Sequence, residues 1–141
     1  MKWFAAHLVM AVHWKGEGQT RFPVWENIVL VAAKSENEAF AKAEAYGQSE
    51  AGDEGGSFRW DGKPATWVFT GVRKLTECVG AEDQPGDGTE ITFNELEFAS
   101  LKAVADFVAS RPTDVRYRDR FPTPRSAKPV EQTKRGKRKP A

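Results

Sequence analysis

Residues 3–14 read WFAAHLVMAVHW, and the fold turns on which side chains of that run share a face. Successive side chains of a strand point to opposite faces. Phe4, Ala6, Leu8, Met10, Val12 and Trp14 therefore form one wholly apolar row, while Trp3, Ala5, His7, Val9, Ala11 and His13 form a mixed one. A strand with one continuous apolar face has to bury it against a second layer. Lys15, Gly16, Glu17 and Gly18 supply turn residues, and VWENIVLVAA at 24–33 reads as a second strand returning antiparallel to the first. The loop between the two is long, so their register stays open.

The next segment changes period from two to 3.6. Ser35 can accept the N3 amide, Glu38 stands where a capping box needs a carboxylate, and Ala39, Phe40, Ala43 and Tyr46 follow on one helical face. Glu38 and Lys42 form an i,i+4 pair. Gly47 weakens this pattern, and Gly52, Gly55 and Gly56 end it. Phe58–Trp60, the Asp61-Gly62 turn and ATWVFTGVRKLTEC at 65–78 predict a second hairpin, with Trp67, Phe69 and Val72 inward and a bulge at Gly71. TEITFNELEF at 89–98 predicts a further strand whose apolar parity shifts near Asn94. A helix capped by Asn94 fits the same residues, and both readings stay open. Leu101, Val104, Ala105 and Val108 make the stripe of a second helix that stops before Pro112.

The order β, β, α, β, β, β, α favours an α+β fold: an antiparallel sheet of four to five strands with two helices packed on one face, in two layers. The 141 residues, 40% apolar and 29% charged, suit one small domain. Charge is unevenly spread. Residues 1–110 hold 10 basic and 17 acidic side chains, and residues 111–141 hold 11 basic and 3 acidic. That division, with five of the eight prolines in the last stretch, predicts a globular domain over 1–110 and a basic, Pro-containing disordered tail over 111–141.

Several chemistries are disfavoured by spacing. His7 and His13 share a strand face, but six residues of strand set them about 20 Å apart, beyond the reach of one metal ion. GSFRWDGK at 56–63 has the wrong glycine spacing for a phosphate loop, and Pro64 stands where a magnesium-holding hydroxyl is needed. Pro85 likewise breaks a calcium-loop reading of 83–88. No nucleophile elbow occurs, so no catalytic residue, metal or cofactor is assigned. A small hydrolase using His7, or Glu95 with Glu97, is one alternative, and it predicts a concave pocket around those side chains. The lone Cys78 cannot form an internal disulfide, which suits a reducing cytoplasm. No run is long and apolar enough for a membrane helix. Lys2 and the run to Val12 have the dimensions of a secretory segment, but His7 interrupts it and His13, Trp14 and Lys15 are poor cleavage neighbours.

Five tryptophans are many for this length, and aromatic rings left on an open sheet face are what a protein interface uses. The expected function is therefore non-enzymatic binding of a protein partner, with Trp3, His7, His13 and Trp25 as contacts. The tail supports a second alternative, a nucleic-acid-associated protein held non-specifically through Lys134, Arg135, Lys137, Arg138 and Lys139.

Trp3–Leu8 (WFAAHL), Glu26–Val31 (ENIVLV), Ser35–Gly47 (SENEAFAKAEAYG), Trp67–Val72 (WVFTGV) and Asp87–Ile91 (DGTEI), in this order and spacing, resemble the bacterial DUF4288 family, a domain of unknown function. The resemblance covers about residues 2–98. It implies a compact cytoplasmic α+β unit and carries over no catalytic residue.

Overall fold

β1 (Lys2–Trp14) is the central strand of the computed structural model, which describes residues 1–78 and 85–119. It pairs antiparallel with β2 (Val24–Ala33) on one side, from Lys2↔Ala33 to Ala11↔Val24. On the other side it pairs antiparallel with β4 (Lys63–Glu77), which forms a hairpin with the short β3 (Arg59–Trp60). The sheet order is β2-β1-β4-β3. Asp61 and Gly62 both take positive φ, 53° and 75°, as the two central residues of a type I′ hairpin turn require.

The even row of β1 faces the helix as the alternation predicts. Phe4, Ala6 and Leu8 are buried with Val31, Ala33 and Val72 against Ala39, Phe40 and Ala43 of α1 (Glu36–Glu50). On β4 the residues on this side are Trp67, Phe69, Val72, Leu75 and Glu77, paired with Val12, Met10, Leu8, Ala6 and Phe4. Two steps of three in that series mark two bulges, which leave Thr70 and Arg73 as extra residues. At the first, Gly71 takes φ 151°, open only to glycine, and the Thr70 hydroxyl donates to the Val9 carbonyl at 3.0 Å.

Ser35 caps α1, its hydroxyl accepting from the Glu38 amide at 3.2 Å. Glu38 reaches back one residue further than a capping box requires, accepting from the Lys34 amide at 2.8 Å. Gly47 does not weaken the helix, which runs on to Glu50. Gly47 is buried because the Phe69 ring lies against it.

The described residues fall into two compact units, one running from Met1 to Ile91 and one from Thr92 to residue 119. The second contains β5 (Leu96–Glu97), α2 (Leu101–Val108) and β6 (Arg116–Tyr117). The strand expected over 89–98 is reduced to β5, which pairs with β6 and not with the main sheet. The parity change at Asn94 and Glu95 keeps that segment from presenting one apolar face, so only a local ribbon forms. The Arg118 amide donates to the Glu95 carbonyl at 2.7 Å, and the Glu95 amide donates to the Asp119 carboxylate at 3.0 Å. β6, which pairs with β5, lies beyond residue 110. Ser100 caps α2, and none of the α2 side chains is buried.

Candidate functional site

The type I′ turn sets Trp60 opposite Lys63, and the β4 segment that follows carries Trp67 onto the same side of the sheet as α1. There the rings of Trp60 and Trp67 stack, with centroids 5.6 Å apart and planes 13° from parallel. Trp25 reaches this side because β2 pairs it with Met10 of the even row. Its ring stands edge-on to both, at 5.6 Å and interplanar angles of 77° and 88°. Phe58 closes the group at 6.1 Å from Trp67. Trp14 donates its indole N–H to the Trp60 carbonyl at 2.9 Å, and Gly52 and Trp67 exchange two backbone hydrogen bonds. The stacked pair leaves no gap for a ligand between its rings. The group is a rigid surface, not a cage, and Trp25, 53% exposed, is its outermost ring.

On the opposite face, β1 contributes His7, which is fully buried. The imidazole Nδ1 and the Glu26 carboxylate are 2.5 Å apart, and Arg73 binds the same carboxylate oxygen through Nε at 2.9 Å and Nη2 at 2.8 Å. The second bulge of β4 makes this possible by turning Arg73 toward the face that carries Glu26. Lys74, opposite His7 in the ladder, is also buried. Burial pushes the His7 pKa down and outweighs the upward pull of Glu26. Burial pushes the Glu26 carboxyl up, but the hydrogen bonds from Arg73 and His7 outweigh it and hold the pKa below the usual carboxylate range. His7 is therefore the neutral Nδ1–H tautomer near neutral pH, donating to an ionised Glu26.

The four contacts expected from sequence do not share a surface. Trp3 is half-buried against Ala5 and Cys78, His7 is buried, and His13 is half-buried with its ring edge-on to Phe22 at 5.8 Å. Only Trp25 is largely open, and it lies on the other face. Its face depended on the β1–β2 register, which the long loop left open. Trp60 and Phe58 were missed, although the two-residue Asp61-Gly62 turn was the signal that would have brought them to Trp67. Adjacent Arg73 and Lys74, between Val72 and Leu75, were the corresponding sign of the second bulge.

Glu97 pairs with Arg118 at 3.9 Å in the second unit. Lys134, Arg135, Lys137, Arg138 and Lys139 lie outside the described residues, as does Asp83 of the calcium-like turn. Among the described residues no cluster of three metal-ligating side chains occurs, and no helix is long and apolar enough to cross a membrane. A cleft of about 400 Å³ lies at the β1–β2 loop, lined by Trp14, Gln19, Arg21, Lys63 and Pro64 among others. Gln19 braces that loop by donating to the Val12 and Arg21 carbonyls and accepting from the Trp14 amide.

The profile of the family described as "Domain of unknown function (DUF4288)" matches residues 3–92. The chain belongs to the DUF4288 family. The matched span ends one residue past the close of the first compact unit at Ile91, so the sheet, α1, the aromatic group and the ion cluster are all parts of the DUF4288 domain. No curated protein and no solved structure matches the chain.

Proposed function

We propose that this DUF4288 chain is a non-enzymatic accessory domain that binds a protein partner through the aromatic patch of Trp25, Phe58, Trp60 and Trp67. The observation that carries this reading is the half-exposed Trp25 ring held edge-on to a stacked tryptophan pair. A large ring already fixed in place loses little conformational entropy on binding, which is why tryptophans dominate interface energetics. We place the domain in the cytoplasm, since its single cysteine, Cys78, is a free thiol and the chain has no second cysteine to pair with it. Affinity capture from native lysate at low salt recovers the partner with the full-length chain. Trp25→Ala reduces the captured partner about tenfold, a loss of about 1.4 kcal/mol, with an unchanged far-UV circular dichroism spectrum. Equal capture by both proteins counts against the patch, and capture of nothing by either counts against the function.

A second reading rests on the charge of the C-terminal stretch, 11 basic against 3 acidic residues over 111–141. Those cations would hold the domain on RNA or DNA by releasing counterions from phosphates. Truncation after Asp119, which keeps β6 intact, should abolish nucleic-acid binding, and binding by the full chain should fall steeply with salt. Binding that survives truncation, or is indifferent to salt, rejects this reading.

A further inference from the structure

β2 is an edge of the four-stranded sheet, and two hydrogen bonds define which of its backbone groups face outward. The Pro23 carbonyl accepts from the Val12 amide at 2.9 Å, so odd-numbered positions point their backbone groups toward β1. The Ala32 carbonyl accepts from Lys42 Nζ at 2.7 Å, so even-numbered positions point away. The N–H and C=O groups of Val24, Glu26, Ile28 and Leu30 thus line the free edge, without a backbone partner among the described residues. Natural edges are blunted with lysines, prolines or bulges. Here Pro23 and Lys42 guard the two ends, and the stretch between them carries none of these devices. Val24, Ile28 and Leu30 are exposed. The one charge, Glu26, is already neutralised within its own chain by Arg73.

We propose that β2 pairs antiparallel with β2 of a second copy of this chain, about a two-fold axis at Asn27, to make one continuous eight-stranded sheet. The register follows from charge and from the blocked end. Setting Glu26 opposite Glu26 would juxtapose like charges. Sliding the other way, to Ile28 opposite Ile28, would require the Ala32 carbonyl that Lys42 holds. Between these, Val24 faces Leu30 and Glu26 faces Ile28, so all four open positions on each strand exchange backbone hydrogen bonds. On the helix-bearing face Trp25 comes opposite Val29, an aromatic and β-branched pair of the kind that stabilises sheets. Asn27, half-buried between Trp25 and Val29 on the helix-bearing face and without a side-chain hydrogen bond among the described residues, meets its own copy at the axis. Each amide there can donate an N–H to the other's carbonyl.

Sedimentation equilibrium of the full-length protein tests this directly, and the expected mass is twice that of one chain. Ile28→Lys places an ammonium group in the middle of the pairing and should weaken dimerisation at least a hundredfold. The single chain should keep its near-UV circular dichroism, because Ile28 is exposed there. Asn27→Cys should form an intermolecular disulfide under mild oxidation, since non-hydrogen-bonded opposite residues lie about 4.5 Å apart at Cα. Leu30→Cys should not, its two copies being about 20 Å apart in this register. A monomeric wild type, a dimer indifferent to Ile28→Lys, or a dimer that cross-links at 30 and not at 27 overturns the proposal. So does a dimer that cross-links at neither position. Partner capture through Trp25 is read separately on the monomeric Ile28→Lys protein, so either result can fail alone.

Discussion

Glu26→Ala lowers the unfolding free energy by about 3 kcal/mol at pH 7, the largest loss expected from any single surface-reaching side chain of this domain. The substitution removes the acceptor of the buried His7 N–H, and an unsatisfied buried donor costs about 1–3 kcal/mol. It also strips Arg73 of its carboxylate, a smaller penalty because Arg73 is 30% exposed and can rehydrate. Glu26→Gln, which keeps an oxygen for His7 but no charge for Arg73, should recover about half. The pH dependence supplies an independent readout. Both His7 and Glu26 have folded pKa values below their ordinary ones, so the unfolded chain binds more protons and acid destabilises the fold. The His7 contribution is complete above its ordinary value of 6.5 and is lost as pH falls through its folded value. The Glu26 contribution is complete above its ordinary value of 4.5 and is lost below that, through its own folded value.

In Glu26→Ala the second loss disappears and the first deepens. His7 no longer has the carboxylate that pulls its pKa up, while Lys74 and Arg73 still press it down. The gap between wild type and variant should therefore widen in urea titrations as pH falls below the folded His7 value of the wild type and before Glu26 begins to titrate. A gap that is constant or closes over that window means that His7 does not depend on Glu26.

Gly47→Ala destabilises the domain by about 2 kcal/mol, although alanine is the better helix former by about 1 kcal/mol. A Cβ at position 47 would stand within the contact distance of the Phe69 ring edge and 2.7 Å from its Cζ. Phe69 cannot swing away freely, because β4 holds it beside Met10 between the aromatic patch and the core. Overpacking of this kind costs about 1–3 kcal/mol, and a rigid ring puts it at the upper end. Phe69→Leu should remove the collision, so the double variant should be more stable than the sum of the single losses allows. A stabilised Gly47→Ala protein would show that the ring yields and that Gly47 is a dispensable gap in the helix.

The residues behind these two effects differ in how far they could be read from the chain. Helix α1 was legible to its cap, because Ser35, Glu38 and the spacing of Ala39, Phe40 and Ala43 act within a few residues of one another. The two faces of β1 were legible for the same reason, and so was the bulge at Gly71, where only glycine supplies the backbone conformation. The role of Gly47 was not, since a glycine that interrupts helical propensity and one that admits a ring look alike until Phe69 is placed. The Thr89–Phe98 segment stayed open between strand and helix because the partner of its short strand, Arg116–Tyr117, lies about twenty residues on, in a stretch whose charge and prolines pointed to a tail.

Composition and periodicity by themselves determined the α+β class, the face that the first strand buries and the helix that covers it, because each is set by contacts short in sequence. Only the tertiary structure decided that Trp25 joins Trp60 and Trp67, that Arg73 meets Glu26 and His7, and that β2 has no second strand beside it among the described residues. These depend on register between strands tens of residues apart, and a shift of one position moves every side chain of a strand to the other face.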